Sequence, residues 1–373
     1  MSVQEILTTF QDIATHPRRQ MDHYLEEGRK VVLTAPVYTP EELIHAMGLV
    51  PMGAWGADLT LQKSKEYFPA FICSIMQSVL ELGINGTYAG ASAIVIPSLC
   101  DSLKCLGENW KYAVPGIPFI PMTYPQNRNN DVGRAFTKAG YQRVIADLEK
   151  ATGAVFHEEY LAKSLEVYNR HNAVMRLLDK TLAAHPEVTA AQRSAIYKSA
   201  WFMAKEEHTA LVMDLLDALN DTQPGEAKVK VMTSGILCDS PALLGLFDEL
   251  GFQIACDDVA AESRQYRTDA PKGMSPMDAL CEKFAKMNDC SVLYDVEKHR
   301  AQLIVDTAKE RDAKGVVVVL TKFCDPEEFD YPIIKKTCDA AGLPVLLLEV
   351  DRQMANFEQA RTALETFRDV ISD

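Results

Sequence analysis

Two distant stretches of this chain spell out one pattern. In the first, the apolar run Ala93-Ile94-Val95-Ile96 passes through Pro97 to Cys100-Asp101, then a helix-compatible segment, then Gly116-Ile117-Pro118 and a second apolar run. In the other, Val316-Val317-Val318-Val319-Leu320 leads to Cys324-Asp325, a helix-compatible segment, Gly342-Leu343-Pro344 and again an apolar run. Runs this short and rich in β-branched residues read as buried parallel strands. Strands alternating with helices demand crossover connections and a parallel α/β sheet. One such coincidence would mean little. The matched order of strand, Cys-Asp, helix, Gly-x-Pro and strand argues for an internal duplication.

The rest of the sequence fits two lobes around a helical middle. Ile6, Leu7, Phe10 and Ile13 share a face, so residues 3–28 read as one helix. A strand follows at Val31-Val32-Leu33. Thr39 suits an N-cap, Pro40 the first helical position and Glu42 a capping box, with Gly48 closing that helix. Val50 and Met52 read as strand, and Pro69 as the opening of a helix that carries Cys73 and ends near Gly83. From about 131 to 222 the apolar spacing is helical throughout, as in Leu161, Leu165 and Tyr168. Strands resume at Val229, at 252–255 and at 345–348, and a helix over about 356–370 closes the chain. The expected fold is α/β: a lobe over 1–130, a linking helical segment over 131–225 and a second lobe over 226–373. Both lobes are expected to be parallel-sheet units of Rossmann or flavodoxin type, with the functional cleft between them.

Charge and thiols narrow the function. A net charge of −14 argues against a nucleic-acid surface. It leaves room for phosphate bound by a few cations and helix N-termini. No apolar run is long enough to span a bilayer, and the opening Met-Ser-Val-Gln-Glu-Ile lacks the form of a secretory signal, so a cytoplasmic location is expected. Nine cysteines, an odd number, in such a chain read as reduced thiols. A single reduced thiol is most often a small buried hydrophobe. Cys100 and Cys324 stand apart because both lie where a strand ends, the place where open α/β sheets hold ligands. Cys73, in the first turns of a helix, has the setting that favours thiolate. Three thiolates converging in a cleft suit a [4Fe–4S] cluster with one distinct iron. Cys105 stands as an alternative to Cys100 or as a fourth ligand, and Cys238 as a second-rank candidate. Cys256, Cys281, Cys290 and Cys338 read as packing residues.

Three segments carry a family resemblance. Phe68-Pro69-Ala70-Phe71-Ile72-Cys73-Ser74-Ile75-Met76-Gln77-Ser78, Cys100-Asp101-Ser102-Leu103-Lys104-Cys105-Leu106-Gly107 with Asn109-Trp110, and Lys322-Phe323-Cys324-Asp325-Pro326-Glu327-Glu328-Phe329-Asp330-Tyr331-Pro332 resemble the cluster segments of the 2-hydroxyacyl-CoA dehydratases. The likeness runs almost end to end and is nearest to the β subunits, those acting on 2-hydroxyisocaproyl- and phenyllactyl-CoA in particular. The resemblance implies an oxygen-sensitive lyase of anaerobic amino-acid fermentation, built as an αβ heterodimer with a [4Fe–4S] cluster in each subunit. It implies a separate ATP-hydrolysing iron–sulfur activator that injects one electron. The substrate thioester then docks at the α subunit, and the β subunit stores or relays the electron.

The implied chemistry explains the need for iron and sulfur. The β-hydrogen of a 2-hydroxyacyl thioester is hardly acidic, and no ordinary side-chain base removes it. One electron added to the thioester carbonyl gives a ketyl radical that expels the 2-hydroxyl and acidifies the β-proton. Loss of that proton and return of the electron complete a syn-type elimination to the (E)-2-enoyl-CoA. Two other readings stay open: an ATP-coupled reductase of benzoyl-CoA or double-cubane type, and a non-catalytic electron-relay subunit. The catalytic base and the acyl group are not legible in the sequence.

Three further features rank lower. Gln126-Asn127-Arg128-Asn129-Asn130 and the segment with Arg264, Arg267 and Asp269 read as polar loops. Lys205-Glu206-Glu207-His208 reads as a solvated helix face, since it is not a zinc-binding His-Glu-x-x-His. Walker A and dinucleotide-binding loops are absent from the sequence.

Overall fold

In the computed structural model, which describes residues 1–372, each apolar run becomes a parallel strand. The chain runs α1 (Val3–Thr15), α2 (Pro17–Glu26), β1 (Val31–Thr34), α3 (Glu41–Ala46), β2 (Val50–Gly53), α4 (Ser74–Ile84), β3 (Ala93–Pro97), α5 (Asp101–Ala113) and β4 (Phe119–Met122). Four helices follow without a strand: α6 (Asp131–Thr152), α7 (Glu158–Leu182), α8 (Ala190–Ser199) and α9 (Lys205–Asn220). Then come β5 (Val229–Gly235), α10 (Pro241–Glu249), β6 (Phe252–Val259), α11 (Pro276–Lys286), α12 (Arg300–Glu310), β7 (Val316–Thr321), α13 (Asp325–Ala340), β8 (Val345–Val350) and α14 (Glu358–Ser372).

The two sheets have the same topology. Their strand orders are β2-β1-β3-β4 and β6-β5-β7-β8, parallel throughout. This is the flavodoxin-type 2-1-3-4 order, and it occurs twice, as the repeated sequence pattern implies. β3 and β7 occupy equivalent places, so Cys100 and Cys324 leave equivalent strands. Each sheet reverses its winding between its first and third strands, which opens a crevice at their carboxyl ends.

Several local expectations are corrected. The helix over 3–28 is two helices, because Pro17 has no N–H for the ladder and starts α2 instead. Thr39 caps nothing: its hydroxyl donates to the Ala35 carbonyl at 2.9 Å, and α3 starts at Glu41 after Pro40. Glu42, expected in a capping box, is buried against Lys283. Pro69 does not open a helix; α4 starts at Ser74, with Cys73 at its N-cap. The helices α10, α11 and α12 had no reading in the sequence. The Lys205–His208 stretch is not a solvated face, since Lys205 and His208 are buried while Glu206 and Glu207 point out.

The lobes are joined by more than a cleft. One apolar core is continuous from Val32 and Ile94 of the first sheet to Val317 and Val319 of the second. Trp55 stacks on Trp201 with ring centroids 4.9 Å apart, and the Gly53 amide donates to the Trp201 carbonyl at 2.7 Å. Arg352 lies across the junction: its guanidinium donates to Asp239 at 2.7 Å and Asp58 at 2.9 Å, and its amide donates to the Ser74 hydroxyl at 3.0 Å.

His208 and His171 give the helical segment a pH dependence. The His208 Nε2–H donates to the Ile196 carbonyl at 2.9 Å, so its Nδ1 accepts from His171 Nε2–H at 3.0 Å. Burial pushes His208 down to about 3 from 6.5 and His171 well below its ordinary value. Both rings stay neutral in the folded chain and gain protons on unfolding. Their contribution is therefore complete above about pH 6.5 and is lost as pH falls towards the folded values, at about 1.4 kcal/mol per pH unit for each ring. Unfolding in urea between about pH 7 and 5 should show this slope, and His208→Gln should flatten it.

Candidate functional site

Each of the three candidate thiols is the N-cap residue of a helix. Cys73 caps α4, Cys100 caps α5 and Cys324 caps α13. The chain reaches these positions by the same local logic: a turn or bend delivers the cysteine, and the next residue starts a helix whose free amides face back. Those amides favour a sulfur anion. Ile75 and Met76 do so for Cys73, Ser102 and Leu103 for Cys100, and Glu327 for Cys324, without closing a capping hydrogen bond in the folded chain. The turn into Cys324 requires left-handed backbone at Phe323, with φ of 61°. A non-glycine residue there stores about 1–3 kcal/mol of strain, which is common beside functional groups.

All three thiols line one cavity of about 720 Å³. Its walls come from Pro36 and Val37 after β1, Leu99 after β3, Ile236 after β5 and Phe323 after β7. The cavity therefore sits where the crevices of the two sheets face each other. Polar groups on the wall include Gln126, Ser291, Asp295 and Lys298, and Phe329 and Val296 stand exposed at the rim. Cys73 and Cys324 are buried and Cys100 is partly exposed.

The protonation of the thiols bears on what they can hold. Burial raises all three: Cys73 moves up, Cys100 is pushed up to about 12, and Cys324 lies well above the ordinary thiol range. The second cause for Cys324 is the nearby Cys73, and Cys73 likewise acts on Cys100. Thiols kept protonated chiefly by burial make poor nucleophiles. They make a good donor set for a cationic centre that displaces their protons. Among the described residues no group of three or more His, Cys, Asp or Glu is placed so as to hold a metal ion. Three thiols on one cavity are the donor type that a [4Fe–4S] cluster takes.

The other cysteines separate cleanly. Cys105, four residues into α5, is exposed and does not line the cavity. Cys238 lines a small separate pocket with Asp239 and Arg352. Cys256, Cys281 and Cys338 are core residues, as expected. Cys290 is buried too, but it is more than packing: its sulfur accepts from Arg264 at 3.4 Å.

The sequence reading missed a buried charge cluster behind Cys324. Arg264, expected in a polar loop, is buried against Asp258 at 3.0 Å and Glu327 at 3.1 Å. Arg300 donates to Asp258, Glu327 and Asp330. Burial raises the carboxyls of Asp258 and Glu327, but the guanidiniums outweigh it and hold both below the usual range. Arg128 is also buried rather than in a solvated turn, donating to the Met287 and Tyr294 carbonyls. A lone Arg carries no burial signal in sequence, because its partners here arrive from other elements.

Comparison with known proteins agrees with the resemblance of the three cysteine segments. Residues 36–371 match the family described as 2-hydroxyglutaryl-CoA dehydratase, D-component. The chain is 46% identical over 366 residues to the (R)-phenyllactyl-CoA dehydratase beta subunit of Clostridium sporogenes, covering 97% of each. It is 39% identical to the lactoyl-CoA dehydratase subunit beta of Anaerotignum propionicum, covering 99% of each. It is 35% identical to the (R)-2-hydroxyglutaryl-CoA dehydratase subunit beta of Acidaminococcus fermentans, covering the full length of both. With its two-sheet fold and near-complete coverage, this chain belongs to the 2-hydroxyglutaryl-CoA dehydratase D-component family.

Proposed function

We propose that the chain is the β subunit of an (R)-2-hydroxyacyl-CoA dehydratase and holds a [4Fe–4S] cluster through Cys73, Cys100 and Cys324. The observation that supports this most is the placement of three N-cap thiols on one cavity between matched sheets. When bound there, the cluster supplies one-electron chemistry that no side chain of the protein can provide. The chain's own residues do the rest. Three helix N-termini offset the charge of a sulfur-rich centre. Pro36, Val37, Leu99 and Ile236 keep an apolar wall against it, which limits water. The relatives are named as β subunits, so an α subunit completes the enzyme and carries the substrate thioester. A separate ATP-dependent activator delivers the electron. Among the described residues no helix is long and apolar enough to cross a membrane.

The test is reconstitution. Alone, the purified chain forms no 2-enoyl-CoA from 2-hydroxyacyl-CoA esters, even with activator, ATP and reductant. Turnover appears on addition of an α subunit. Robust turnover by the single chain would favour a self-contained reductase or homodimer instead.

A further inference from the structure

Glu327 is a buried carboxylate for which folding stability supplies no evident reason. Replacing a buried ion network of this type by well-packed apolar residues is often neutral or stabilising. Its geometry ties it to Cys324. Glu327 lies in the first turn of α13, three residues after Cys324, and its amide donates to the Cys324 carbonyl at 3.0 Å. One carboxylate oxygen accepts from Arg264 at 3.1 Å and from the Ser291 hydroxyl at 2.7 Å; the other accepts from Arg300 at 2.8 Å. Arg300, the first residue of α12, also donates to Asp330 on the same face of α13 at 3.0 Å. Ser291 itself lines the cavity. The register of α13, and with it the place of Cys324, is thus fixed by two guanidiniums from outside the helix.

We propose that Glu327, clamped by Arg264, Arg300 and Ser291, is a positioning residue that fixes Cys324 and sets the reduction potential of the centre it ligates. The inference rests on the cluster reading above. An electron added beside Cys324 meets the carboxylate as a like charge and the two arginines as opposite ones. All three charged groups are buried, so solvent screens them little. The balance between them tunes how readily the centre accepts an electron from a low-potential one-electron donor. Removing the negative charge of Glu327 while keeping its shape makes reduction easier. Removing the Ser291 hydroxyl leaves the carboxylate less screened and makes reduction harder.

The experiment is an anaerobic redox titration of the full chain, followed by EPR, with iron measured per chain. Glu327→Gln should shift the midpoint to more positive potential. Glu327→Asp, which keeps the charge, should stay near wild type. Ser291→Ala should shift to more negative potential. Opposite shifts in the Gln and Ala variants are beyond a merely structural role, which would lower iron content in both without ordering their potentials. Full iron with unchanged potentials in both overturns the proposal. If Glu327→Gln fails to fold, Ser291→Ala decides alone, and an unchanged potential there overturns it. A wild-type chain that takes up no iron would instead overturn the cluster reading itself.

Discussion

Replacing Cys73, Cys100 or Cys324 by Ser strips most of the iron from the anaerobically purified chain and bleaches its broad visible absorption. A hydroxyl at these positions stays protonated and does not substitute for a thiolate, and the site has no neighbouring thiol to take over. Cys105→Ser is the informative control, since Cys105 shares α5 with Cys100 yet faces solvent away from the cavity. It should keep its iron, as should Cys281→Ala and Cys338→Ala, whose thiols lie in core packing. Iron and sulfide analysis with an absorption spectrum checks all six. Loss of iron in the Cys105 variant would make that residue a ligand, in place of Cys100 or as the fourth.

The largest effect on stability is expected at Arg352. It is buried at the junction of the lobes, and its guanidinium holds Asp239, which is buried as well. Burial raises the Asp239 carboxyl, but Arg352 and Lys198 outweigh it and keep it ionised. Arg352→Leu leaves Asp239 with Lys198 as its remaining ion pair and Asp58 with none from this residue. Breaking one side of a buried pair costs about 3–5 kcal/mol. Thermal or urea unfolding should show that loss, and amide exchange should rise at residues 55–59 and 237–240. Removal of the cluster by chelator and oxidant should act differently. The apolar core and the Arg352 contacts extend well beyond the three thiols, so exchange should rise at 72–74, 99–101 and 323–325 and change little in β3 and β7. A general loosening of both sheets on cluster removal would show that the metal, rather than the protein junction, docks the lobes.

What the sequence disclosed depended on how local the signal was. β3 and β7 were legible because each is a run of apolar residues too short for a helix. Cys100 and Cys324 were legible because a duplication puts the same residue at the same strand end. Cys73 lacks a repeat partner and was picked from its helix setting, though the helix starts later than the Pro69 signal implies. Arg264, Arg128 and Lys205 were misread because a charged residue in a polar stretch looks solvated until a distant carboxylate or carbonyl is brought against it. Asp258 and Arg300 meet across separate elements, and nothing in the spacing of one reports the other. The missed helices α10–α12 are short, 9 to 11 residues, and helices of that length depend on tertiary packing.

The account turns on whether this chain carries one cluster of its own. Iron and acid-labile sulfide analysis with Mössbauer spectroscopy, on the wild-type chain purified without oxygen and without any partner, measures that directly. The predicted result is about four iron and four sulfide per chain with the spectrum of a single cubane. About twice that content would indicate a double-cubane centre, and a folded chain that binds no iron would contradict the account outright.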